Sequence, residues 1–119
     1  RVEPERRATW TGMTDRNFTQ AHLTRPLLEG MARAFRNGRD LIQQATGRAG
    51  SRLVGAGNGL RENPVLAQLV AEEFGLPLVF PRHYEEAAYG AALVAAVGAG
   101  VLPDLDAAGK LLRYQRETG

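Results

Sequence analysis

The chain contains no cysteine. That excludes disulfides, zinc–thiolate centres and thiol chemistry, and it leaves the compartment open. Lysine is nearly absent too. Lys110 is the only one, so the basic isoelectric point near 9.5 comes from arginine. Net charge is only +2. There is no basic run with interleaved aromatics, so nucleic acid is not an expected partner. No apolar run reaches the ~20 residues that span a bilayer. The longest, residues 87–102, is mostly Ala and Gly and reads as a buried helix of a soluble protein. No signal peptide is legible. The expected location is the cytoplasm, with no membrane partner. The first residue is Arg1 rather than Met, which marks a trimmed chain or a piece of a longer one.

What is present is an ordinary globular composition. Of 119 residues, 44% are hydrophobic and 24% are charged, enough for one domain with one core. The most informative stretch is residues 53–64, LVGAGNGLRENP. Two apolar residues feed glycines at alternate positions, Gly55, Gly57 and Gly59, and Asn63-Pro64 then opens a helix. Glycine suits a backbone that must take positive φ or approach a ligand closely. Asn is a strong N-cap, and Pro fits the first helical position because no N–H is needed there. Strand, glycine loop and capped helix make an arrangement that suits an anionic or polar ligand.

Around it the pattern alternates. Residues 1–7 read as an entering loop and residues 8–11 as a short strand ended by Gly12. Apolar residues from Leu23 to Ala45 recur every three or four positions, which predicts a helix over 20–46 stopped by Gly47. Pro26 is awkward there if Thr19 caps and comfortable if Thr24 caps. Residues 52–54 are a second strand. Residues 64–74 are a helix with Val65, Leu66, Leu69, Val70 and Phe74 on one face and Gly75 as its stop. Residues 78–80 are a third strand, 85–99 a third helix, and 111–114 a short last one. Strand-helix-strand-helix-strand-helix calls for an α/β layer with a parallel element.

Each motif has a plain reading beside its chemical one. A dinucleotide loop opens its helix within the glycines and has an acid at the end of the next strand. Here the helix opens later, and the next strand ends in Phe80-Pro81-Arg82. No Gly-Lys-Ser/Thr follows, so this is not a Walker A loop either. A tight strand-to-helix loop without a ligand remains open. Gly90, inside an alanine-rich helix, implies close packing on a sheet, and Gly30 implies a contact with a neighbouring element. Glu85 and Glu86 are read as matching the helix dipole rather than as catalytic carboxylates. His22 and His83 lack ligand spacing and are read as surface or packing residues. Trp10 is read as core or cleft wall.

Together the segments resemble the FGGY carbohydrate kinases. The matching features are Thr11-Gly12, the helix HLTRPLLEGMA, the strand and glycine loop with Asn63-Pro64, then FGLPLVFP and EEAAYGAALVAAVGAG. They cover residues 1–108. RVEPERR, TGMTDRNFT and the loop GAGNGLRENP look most like sedoheptulokinase and its bacterial relatives, since xylulose and glycerol kinases usually carry a shorter GGGA-type loop. The resemblance implies a partial ribonuclease H-like (actin-like ATPase) fold lacking its first two strands, so that residues 1–119 form part of a kinase C-terminal domain. It implies an activity, the transfer of the ATP γ-phosphoryl group to a sugar or polyol hydroxyl with Mg2+. It implies adenosine contact at Gly57, Gly59 and Asn63, with Gly55 and Asn58 belonging to the longer loop. The family's catalytic aspartate, phosphate hairpin, sugar-binding residues and most of the magnesium site lie upstream, so the isolated chain is expected to be inactive. The partners implied are ATP, a small sugar and the N-terminal kinase domain of the same protein, with a homodimer left open. An actin-like module that binds a nucleotide or partner without catalysis is the competing reading. In the implied topology the strands at 52–54 and 78–80 pair in parallel. Residues 8–11 stand apart from both by about two strand widths, each ~4.8 Å.

Overall fold

The structure, a computed structural model, describes residue 5 and residues 7–115. Most of the expected entering loop at 1–7 lies outside the described residues. The elements in order are α1 (Gln20–Thr46), β1 (Leu53–Val54), α2 (Asn58–Arg61), α3 (Pro64–Phe74), β2 (Leu78–Val79), α4 (Glu86–Gly98) and α5 (Leu105–Gly109).

α1 begins at Thr19, whose hydroxyl accepts the N–H of His22. The helix runs through Pro26, and the later start at Thr24 is not used. Thr24 instead donates its hydroxyl to the Gln20 carbonyl, 2.6 Å away. Gly47 ends the helix at φ 67°, a left-handed position that glycine takes without steric cost, and its N–H reaches the Gln43 carbonyl. α3 shows the same punctuation, with Asn63 as cap, Pro64 in the first turn and Gly75 at φ 62°. Its buried residues are Leu66, Leu69 and Val70, while Val65 is exposed. Those three close on Ala32 of α1, with Leu28, Leu53, Leu60 and Phe74 packed around them. This is the core.

β1 and β2 pair in parallel, Leu53 opposite Leu78 and Val54 opposite Val79. The expected parallel pair is therefore present, with α3 as its crossover. The chain returns to β2 near its end. Tyr114 bridges Pro81 in antiparallel sense, and Gln115 N–H donates to the Phe80 carbonyl at 2.7 Å.

Several expectations need correction. Residues 8–11 form no strand; they are exposed coil, and Trp10 is 45% exposed rather than core or cleft wall. A lone strand cannot satisfy its own backbone groups, and neither β1 nor β2 pairs with these residues. The last helix is not at 111–114 but at α5, because Asp104 accepts the Ala107 N–H at 2.7 Å and starts it there. α4 packs on α5 rather than closely on the sheet. A Cβ built at Gly90 or at Gly30 would meet nothing within 4 Å, so neither glycine is held by close approach among the described residues.

Candidate functional site

The glycine loop leaves β1 still in register, with Gly55 N–H donating to the Val79 carbonyl at 2.9 Å. Gly55 is buried, and a Cβ there would stand 2.9 Å from Phe80 Cε1 and 3.2 Å from Leu78 Cδ1. Gly57 takes φ 85° and ψ 153°, a region that side chains exclude. Its carbonyl accepts the Arg61 N–H, and residues 58–61 close into the single turn α2, which the sequence pattern did not reveal. Asn58 and Gly59 are exposed on that turn, and a Cβ at Gly57 or Gly59 would meet no protein atom within 4 Å. Asn63, at the far side, accepts the Leu66 N–H at 3.0 Å through Oδ1. The structure thus brings Gly57, Asn58 and Gly59 onto one open turn. Gly55 lies inside against Phe80, and Asn63 anchors the next helix.

Beside this turn stands a residue that sequence reasoning missed. The Arg61 side chain is only 7% exposed. One of its terminal nitrogens donates to Glu86 Oε1 at 2.5 Å and to the Pro81 carbonyl at 3.1 Å. Its guanidinium carbon lies 4.5 Å from the Tyr84 ring centre and 5.1 Å from that of Phe80, within cation–π range of both. Glu86 uses its other oxygen to accept the Gly57 N–H at 3.4 Å. The guanidinium beside it holds the Glu86 carboxyl below its usual value. Glu86 is thus tied to the loop as well as sited at a helix start.

The remaining candidates have structural partners. His22 Nδ1 lies 2.7 Å from Thr19 Oγ1 within the α1 cap. His83 stacks on Tyr89 with ring centres 3.9 Å apart. Glu29 pairs with Arg25 and Arg33 along α1. Among the described residues no group of three His, Asp or Glu side chains could hold a metal ion, and no helix is long and apolar enough to cross a membrane.

Comparison with known proteins supplies the lineage of this loop. Residues 1–99 match the model of the FGGY family of carbohydrate kinases, C-terminal domain. The chain belongs to the FGGY carbohydrate kinase family. It is 36% identical over 98 residues to a glycerol kinase of Myxococcus xanthus, covering 82% of this chain and 19% of that protein. It is 34% identical over 115 residues to a glycerol kinase of Bdellovibrio bacteriovorus, covering 97% of this chain and 23% of that protein. A xylulose kinase of Lactococcus lactis is 28% identical over 98 residues, covering 82% of this chain and 19% of that protein. No solved structure matches. The chain spans about a fifth of the length of the curated relatives it matches. In this FGGY domain the core of α1 and α3 and the parallel pair β1–β2 carry the glycine loop at one end of the sheet.

Proposed function

We propose that this chain is the adenosine-binding part of an ATP-dependent carbohydrate kinase, whose γ-phosphoryl group passes to a sugar or polyol hydroxyl. The observation that carries the reading is the open turn at Gly57, Asn58 and Gly59. Gly57 holds a backbone shape reserved for glycine, and a Cβ added at Gly57 or Gly59 would meet nothing from the rest of the fold within 4 Å. A flat base can lie on bare backbone there, and Asn58 offers an amide for its polar edge. Gly57 and Gly59 would lie beneath adenine, Asn58 and Asn63 at its rim, with Gly55 supporting the shelf from inside. Among the described residues no group of three His, Asp or Glu side chains could hold a metal ion, and the Mg2+ that accompanies ATP would be held mostly by the rest of the kinase.

The likeness to glycerol and xylulose kinases supports a polyol or sugar acceptor and does not single out sedoheptulose. Phosphoryl transfer rests on positioning and on stabilising the charge of the transferring group. The loop supplies positioning for one end of the nucleotide only. The base on the acceptor hydroxyl and the grip on the phosphates would come from the rest of the kinase, including its N-terminal domain, which would also cover the open faces of α1 and α4.

The 119-residue chain by itself should show no ATP-dependent phosphorylation of glycerol, xylulose, ribulose or sedoheptulose in a coupled ADP-release assay. In the intact kinase, Gly59→Val should raise the KM for ATP far more than that for the acceptor. An unchanged ATP KM in a folded Gly59→Val enzyme would remove this turn from the nucleotide site.

A further inference from the structure

We infer that Arg61 and Glu86 form a positioning pair that sets the height and aim of the nucleotide loop. The inference rests on the kinase reading above and deepens it. A loop with glycine at positions 55, 57 and 59 has many accessible backbone states, and ordering it costs more entropy than ordering any other composition. Something must hold it if it is to meet a ligand in one geometry. The core holds it from one side only, through Leu60 of α2, and leaves Gly57, Asn58 and Gly59 exposed.

The pair supplies the missing constraint. Glu86 bridges two points of the loop region, the Gly57 N–H and the Arg61 guanidinium. Arg61 in turn reaches the Pro81 carbonyl while lying against Phe80 and Tyr84. Four segments therefore meet on one half-buried ion pair: the turn at Gly57, α2, the chain after β2 and the first turn of α4. One terminal nitrogen makes both hydrogen bonds, so what lysine lacks is the planar guanidinium that lies against Phe80 and Tyr84. Glu86 touches the turn at the Gly57 N–H, and Arg61 reaches it through Glu86 and its own backbone. They act through Gly57 and are positioning residues rather than catalytic ones.

The test uses the intact kinase carrying this segment, with glycerol or xylulose as acceptor. Glu86→Gln keeps shape but loses the charge. It should raise the KM for ATP about tenfold, the scale of one hydrogen bond to a charged group, while leaving the acceptor KM within about twofold by the same scale. Amide exchange at residues 57–61 should quicken in the same variant. Arg61→Lys should behave likewise. Removing both charges, Arg61→Met with Glu86→Leu, leaves no half-buried charge without its partner and should restore thermal stability without restoring the ATP KM. Recovery of the ATP KM in that double variant would show the pair to be structural only and would overturn the inference. So would an unchanged ATP KM in folded Glu86→Gln or Arg61→Lys. A wild-type kinase that phosphorylates no polyol or sugar would overturn the kinase reading itself, and this inference with it. The wild-type assay therefore separates the two failures.

Discussion

A methyl group added at Gly55 would stand 2.9 Å from the Phe80 ring, whereas one added at Gly59 would meet nothing. The two substitutions should therefore have opposite signs. Gly55→Ala must push Phe80 off Arg61 and should destabilise by about 1–3 kcal/mol, the usual cost of overpacking. Gly59→Ala sits in a helical turn and should stabilise by up to ~1 kcal/mol. Urea denaturation of the two variants checks both. Glu86 gives a second expectation. Its folded carboxyl is held below its ordinary value of 4.5 by Arg61. The pair's contribution is then complete above pH 4.5 and is lost as pH falls through the depressed folded value. Glu86→Gln should flatten the loss of stability on acidification below that pH, as thermal melts across pH would reveal. At this scale the sequence was half legible. The glycine turn at Gly57 and the helix cap at Asn63 announce themselves through residue type and local spacing. The Arg61–Glu86 pair spans 25 positions and obeys no periodicity, so only the folded chain brings it together.

Among the elements, length and caps decided what could be read. α1 and α3 have both a polar cap and a stopping glycine, and Gly47, Asn63 and Gly75 mark their bounds, while the choice between Thr19 and Thr24 at the head of α1 came only with the fold. α2 and α5 are four and five residues long, too short for a hydrophobic period to appear. The strand expected at 8–11 failed for another reason. Its β-favouring residues Thr9 and Trp10 describe a surface fit for a sheet, and strand formation depends on a neighbour that the sequence pattern does not specify. The caps themselves can be weighed. Asn63→Ala removes the bond to Leu66 N–H at the head of a core helix and should cost about 0.5–2 kcal/mol globally. Asp104→Ala removes a similar bond from α5 but should act locally, seen as faster amide exchange at residues 105–109 with little change in the denaturation midpoint.

As a whole the chain is extended, with a radius of gyration of 18.6 Å and dimensions of 62 × 34 × 25 Å. A compact domain of this length would have roughly 13–14 Å. The excess comes partly from α1, which presents Leu27, Met31, Phe35 and Ile42 to solvent at helical spacing. Beside a core this small, such a stripe is an association hazard. The 119-residue chain alone should bind an environment-sensitive apolar dye and form concentration-dependent oligomers by light scattering. Leu27→Glu with Ile42→Lys should reduce both without melting α1.

The parallel strand pair and the Arg61–Glu86 bond have a kinetic consequence. Leu53 meets Leu78, and Arg61 meets Glu86, each across 25 positions, with α3 lying inside both loops. The entropy of closing such a loop grows only slowly with its length, and a second contact across a loop already closed adds little to it. Strand register and the ion pair should therefore form in one cooperative event, after α3 is helical and before the chain beyond α4 is ordered. Mutations at Val79 and Glu86 would then share similar φ-values, marking the strand pair and the glycine loop as a unit that assembles all at once.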